Sequence, residues 1–149
     1  MVSFPPHSWC LLVRTDFTDD EGWARLVQEA TTPSPEGFEA NVRPFSDPAA
    51  DGAAWETLRD TAMAAASEEY SSVLFVADTA TIASPDQPNL VVSTSRFYRD
   101  RHPEEFAAMR PFRCIPSELW SVENNLNLAN MDWHDFARRV NGAGVFRGF

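Results

Sequence analysis

Acid–base chemistry without a cofactor needs carboxyl groups held in contrasting environments, one kept protonated and one ionised. Three carboxylates of this 149-residue chain stand where such a role is expected: Asp16 just past the apolar run LLVR, Asp78 at the end of VLFVA, and Glu123 within WSVENN. In an open α/β sheet ligands bind outside the carboxyl ends of the strands, so Asp16 and Asp78 fall at the expected edge together with Arg14. Asp19, Asp20 and Glu21 extend the first of these into an acidic cluster. That cluster suits a magnesium ion or an acid–base pair, and it equally suits helix capping and turn solvation. A second concentration of polar groups runs from Trp120 to Phe136, where Asn124, Asn125, Asn127 and Asn130 lie beside two tryptophans. Paired amide donors and acceptors of this kind orient a ligand, or else satisfy backbone groups in a turn. A third is RFYRDRHPEEFAAMRPFR, from Arg96 to Arg113, whose five arginines face Asp100, Glu104 and Glu105 on a chain of net charge −10. With Phe97 and Tyr98 interleaved, this basic island reads as a lid over the sheet, a docking surface for an anion or acidic partner, or a solvated loop. The expected site residues are therefore Asp16, Asp78 and Glu123 for catalysis. Arg14, Trp120, Asn124, Asn125, Asn130, Arg147, Arg96 and Tyr98 are expected for ligand binding.

Other chemistries lack their residues. All twelve cations are arginine, so a Schiff-base lysine, a phosphate-loop lysine and the lysine of a phospho-receiver site are each absent. Three histidines and two cysteines, with no HExxH, no CxxC and no spaced His/Cys cluster, give no expectation of a metal. No GxSxG elbow and no glycine-rich strand-to-helix turn appear, and no cofactor is expected. The acidic balance argues against nucleic acid as a partner, because phosphate binding needs clustered cations. No run approaches the ~20 apolar residues of a membrane span, and the N-terminus lacks a signal-peptide pattern, so a cytoplasmic location is expected. Cys10 and Cys114 sit in apolar runs and are expected to be reduced and buried.

The elements that position these groups follow an alternating order. Leu11 to Arg14 predicts a buried strand, followed by a helix with Thr18 as N-cap and Glu21 completing a capping box. Trp23, Leu26, Val27 and Ala30 form its apolar stripe. Phe38 to Phe45 predicts a second strand, and Asp51 caps a helix carrying Trp55, Leu58, Ala62 and Ala65. Val73 to Asp78 is the clearest strand, continuously apolar like one covered on both faces. Asn89 to Ser95 and Pro111 to Pro116 predict two more, with only a short helix around Glu104 to Met109 between them. That leaves no room for a parallel crossover, so an antiparallel portion is expected. Ser117 to Asn124 suits a short helix. For Asn125 to Asn130 the period of two and the asparagine content favour a strand, with one long helix as the rival. A last helix is capped by Asp132 and presents Trp133, Phe136, Ala137 and Val140. The expected fold is α/β: a single domain over residues 1–149 with a mixed, mostly parallel sheet and flanking helices. Residues 1–8 are expected to be flexible, and 96–111 to form an inserted lid or docking segment.

LLVRTDFTDDEGW, WSVENNLNLANMDWHDF and the terminal GVFRGF resemble a family of small actinobacterial proteins, the DUF6924 family, whose activity is undefined. The resemblance runs from about Leu11 to Phe149. It implies a shared polar signature at Arg14, Asp16, Glu123, Asn124, Asn125, Asn130, Asp132 and Arg147, whereas the Arg96 to Arg110 stretch is longer than the family pattern. Two functions compete. One is a non-catalytic binding or accessory protein for a protein or small-molecule partner. The other is a cofactor-free cyclase, isomerase or dehydratase acting on a small metabolite in a specialised biosynthetic pathway.

Overall fold

The computed structural model describes residues 2–5, 10–65 and 72–149. Six strands form one sheet: β1 (Cys10–Arg14), β2 (Val42–Phe45), β3 (Val73–Ala77), β4 (Asn89–Ser93), β5 (Phe112–Cys114) and β6 (Val145–Phe146), in the order β2-β1-β3-β4-β5-β6. β1 and β3 are buried at every position, which is why they read as unbroken apolar runs. β1 pairs in parallel with both β2 and β3, and β5 with β6. β4 is antiparallel to β3 and to β5, so it alone runs against the rest. The chain is a single α/β domain with a mixed, mostly parallel sheet.

Alternation along the strands separates two cores. Leu12, Phe75, Val91, Phe112 and Phe146 face α1 (Asp20–Thr31), α6 (Leu119–Asn127) and α7 (Trp133–Ala137), which bury Leu26, Leu119, Val122 and Phe136 on that side. Leu11, Val13, Leu74, Val76 and Val92 face α2 (Trp55–Ala65), which buries Leu58 and Ala62. Placing α1 and α2 on opposite faces reverses the winding between β1 and β3, creating a switch point at their carboxyl ends. α3 (Thr79–Ala83), α4 (Arg96–Arg101) and α5 (Pro103–Ala108) are short, and the last two bury no residue.

Several boundaries differ from the sequence expectation, each for a local reason. Asp19, not Thr18, caps α1: its carboxylate accepts the Gly22 N–H at 2.8 Å, while the Thr18 hydroxyl donates to Asp16 at 2.6 Å. Asp47 caps a single 3-10 turn at Pro48–Ala50, and Asp51 only closes that turn. Asn125–Asn130 is no strand. α6 continues to Asn127, and the chain turns through Ala129 at φ 56°. The last helix stops at Ala137, and part of the tail pairs as β6. Residues 1, 6–9 and 66–71 lie outside the described residues, and the expectation of flexibility over 1–8 falls partly there. Phe4, which is described, is 6% exposed and meets Phe45 edge-on with ring centres 4.8 Å apart.

Candidate functional site

The carboxyl edge of the sheet collects Arg14, Asp16 and Asp78, where the strand order placed them, and also Arg147, which follows β6. Each is held by the protein itself. Asp78 and Arg113 form two parallel N–H···O bonds of 2.9 Å, and Asp78 Oδ1 also accepts the Thr81 N–H at the start of α3. Burial pushes the Asp78 carboxyl up, but the Arg113 guanidinium and Thr81 outweigh it and hold the group below its ordinary range. The Thr18 hydroxyl, then its N–H, pull the Asp16 pKa down as well. Arg14 donates to the Asp16 carbonyl and to Asp20, with its guanidinium 4.5 Å from the Phe17 ring centre. Arg147 pairs with Asp86. At the switch point the Thr15 N–H donates to the Ala77 carbonyl at 3.0 Å, continuing the β1–β3 pairing, and Gly52, at φ 69°, donates to the Thr15 carbonyl at 2.9 Å. Both carboxylates are weak bases here and have no proton to donate near neutral pH, since a carboxyl with a lowered pKa is ionised there.

At the opposite edge, Glu123 is 4% exposed and occupied by N–H groups. Its Oε1 accepts from the Asn41 backbone and from Asn124, and its Oε2 from Asn127 at 2.9 Å. Asn124 also donates to the Glu39 carbonyl, and Asn127 accepts from the Ser72 N–H and hydroxyl at 2.8 Å. Asn125 donates to the Ser121 carbonyl one turn back. The amide-rich signature therefore ties α6 to the loops that enter β2 and β3.

Beside this knot, between α4–α5 and the turn joining α6 to α7, lies a cavity of about 510 Å³. Met109, Leu126, Met131 and Trp133 supply apolar wall, Phe97 and Tyr98 the α4 side, and Ser72, Ser93, Ser95, Asn130 and the carboxylates Asp132 and Asp135 the polar groups. A smaller lobe continues past Tyr98 to Glu105 and His134. The Ser93 hydroxyl donates to the Met109 sulfur at 3.4 Å, a weak bond, and Ser95 accepts the Tyr98 N–H as the cap of α4. Among the described residues neither the Tyr98 hydroxyl nor the Asn130 amide has a protein partner. Residues from the lid-like segment and from the amide-rich segment thus meet in one concave, mostly apolar site with a few polar groups, the usual form of a ligand pocket.

The model of a family described as a domain of unknown function, DUF6924, matches residues 9–149. The chain belongs to the DUF6924 family. No curated protein matches it.

Within this DUF6924 fold the eleven residues singled out from the sequence fall into separate places. Arg14, Asp16, Asp78 and Arg147 share the carboxyl edge; Glu123, Asn124 and Asn125 the knot; Tyr98 and Asn130 the cavity. Arg96 reaches back from α4 to the Met63 carbonyl. Trp120 stacks on Phe38, with ring centres 5.0 Å apart, beside a second cavity of about 640 Å³ between α1 and the segment entering α6. Glu118, overlooked in the sequence, lines that second cavity. Burial raises its pKa and the nearby Glu36 raises it further. The signal for it was an acid set between Pro116 and the apolar pair Leu119–Trp120, where a strand ends. Cys114 is buried and its thiol is pushed well up by that burial and by Glu118, so it stays protonated and unreactive. Among the described residues no group of three or more His, Cys, Asp or Glu side chains is close enough to hold a metal ion, and no helix is long and apolar enough to cross a membrane.

Proposed function

We propose that this DUF6924 protein is a cytosolic, non-catalytic binding protein that holds a small molecule between α4–α5 and the α6–α7 turn. The observation that carries this reading is the 510 Å³ cavity, lined by apolar and aromatic side chains together with Tyr98 and the exposed Asn130, whose hydroxyl and amide have no protein partner among the described residues. The carboxylates expected to do chemistry support it from the other side, because Asp16, Asp78 and Glu123 are all committed to protein donors. A fragment screen by ligand-observed NMR tests it. Fragments are expected to bind the wild type and to lose about thirtyfold in affinity in the double variant Tyr98→Phe/Asn130→Ala, two hydrogen bonds contributing roughly 1 kcal/mol each. No binders, or binders indifferent to that variant in a protein of unchanged circular dichroism, overturn the reading.

Glu118 favours a second reading, a cofactor-free acid–base enzyme acting on a small metabolite. A carboxyl with a raised pKa lining a cavity beside a tryptophan is the arrangement a general acid needs. The acid in this reading is Glu118 rather than Asp16, Asp78 or Glu123. Incubating a metabolite extract with wild type and with Glu118→Gln checks it: a compound consumed only by the wild type supports catalysis. An extract left unchanged by the wild type removes it.

A further inference from the structure

The chemistry of the cavity wall narrows the class of ligand, and this inference rests on the binding reading above. Every polar group the wall has to spare is uncharged: the hydroxyls of Ser93, Ser95 and Tyr98 and the amide of Asn130. The charged lining groups of the main cavity are the carboxylates Asp132 and Asp135, and the adjoining lobe adds Glu105 and the imidazole of His134. Asp132 accepts the Asp135 N–H and Asp135 accepts the Asp132 N–H, so each secures the first turn of α7. Asp135 also takes Arg138 at 2.7 Å. An anion therefore meets Asp132 with no arginine among the lining residues of the main cavity, Asp135 being paired with Arg138, and a cation finds carboxylates already engaged by α7 and Arg138.

The apolar part of the wall is suited to flat rings. Trp133 and Phe97 are held at its sides, Trp133 by its indole N–H on the Arg110 carbonyl at 3.1 Å and by ring contact with Phe112. Phe97 is fixed against Tyr98 and His102 with ring centres 5.2 and 5.3 Å away, yet it is 49% exposed. Met109 and Met131 add two polarisable thioethers, which make favourable contacts at the edges and faces of aromatic rings and adapt to their outline. The Ser93 hydroxyl spends its proton on a sulfur, a partner that a ligand oxygen readily replaces.

We infer that the cavity takes an uncharged aromatic molecule of about two fused rings or more, carrying a hydroxyl or carbonyl oxygen that meets the Ser93, Ser95 and Tyr98 hydroxyls. Four isosteric probes test it: 2-naphthol, 2-naphthoate, 2-naphthylmethylammonium and the saturated alcohol 2-decalol. The four methionines provide the readout in protein carrying 13C-labelled methyl groups. 2-Naphthol is expected to move the Met109 and Met131 methyl signals saturably through its ring current, leaving the signal of Met63, buried in the opposite core, in place. Its affinity is expected to exceed that of the other three by about tenfold or more, and to drop about tenfold in Ser93→Ala/Tyr98→Phe. Binding of naphthoate or the ammonium probe at least as tightly as naphthol overturns the uncharged class. Equal binding of decalol overturns the aromatic one; in each case the cavity remains a binding site. If none of the four probes moves Met109 or Met131, the inference fails, and the fragment screen decides separately whether the binding reading survives.

Discussion

At the scale of single residues, the carboxylates show why a side chain's type and place are weak guides to its role. Asp78 stands where a catalytic acid is expected, yet its two oxygens are shared between Arg113 and the N-terminus of α3. Pairing holds its folded-state pKa below the ordinary carboxylate value of about 4, so its contribution to stability is complete above that value and is lost as pH falls through the folded pKa. Asp78→Asn keeps a capping oxygen but removes the charge on a partly buried pair, and is expected to cost about 2 kcal/mol at pH 7. Urea unfolding at pH 7 and again near pH 3 checks this. The gap between variant and wild type should shrink at the lower pH, and a gap of the same size at both means that charge contributes nothing to the pair.

At the scale of elements, the strands that could be read were those whose burial is decided by the strand itself. β1 and β3 are covered on both faces and announce themselves as apolar runs, and the lack of a helix long enough for a parallel crossover between β4 and β5 made the antiparallel pairing legible. α6 was misread at its end because its asparagines are satisfied at a distance. Asn124 and Asn127 bond to the Glu39 carbonyl and to Ser72, and locally only to the Glu123 side chain. For these two the usual reason for asparagine to oppose a helix, competition for local backbone groups, is thus removed by tertiary contacts that no local pattern encodes. α4 escaped for the opposite reason: it buries nothing, so RFYRDR shows no apolar stripe, and only Ser95 marks its start. The cavity could not be read for the same cause. Ser93, Met109, Leu126 and Trp133 come from four separate stretches of sequence, and only the sheet order brings them together.

At the scale of the whole molecule, short-range pairing and long-range repulsion act in opposite directions, and their magnitudes decide which one salt will expose. Among the described residues most of the ion pairs have at least one well-exposed partner, as in Arg59–Asp60, Arg99–Asp100 and Arg138–Asp135, and exposed pairs contribute between nothing and about 1 kcal/mol. Asp78–Arg113 is half-buried on both sides and is screened less than these. Against these stand 22 acids and 12 bases, a net charge of −10 confined to one small domain. Such an imbalance opposes the compact state through self-repulsion acting over distances comparable to the screening length, about 30 Å in 0.01 M salt and 8 Å at 0.15 M. Raising sodium chloride from 0.01 to 0.3 M is therefore expected to stabilise the protein by about 1 kcal/mol, seen as a rise of roughly 3 °C in Tm by differential scanning calorimetry at pH 7. At pH 4.6, the isoelectric point given by the sequence, the net charge vanishes and the rise should disappear. A Tm that falls with salt at pH 7 means instead that the arginine pairs outweigh the repulsion, and the acidic excess is then arranged more favourably than its sum implies.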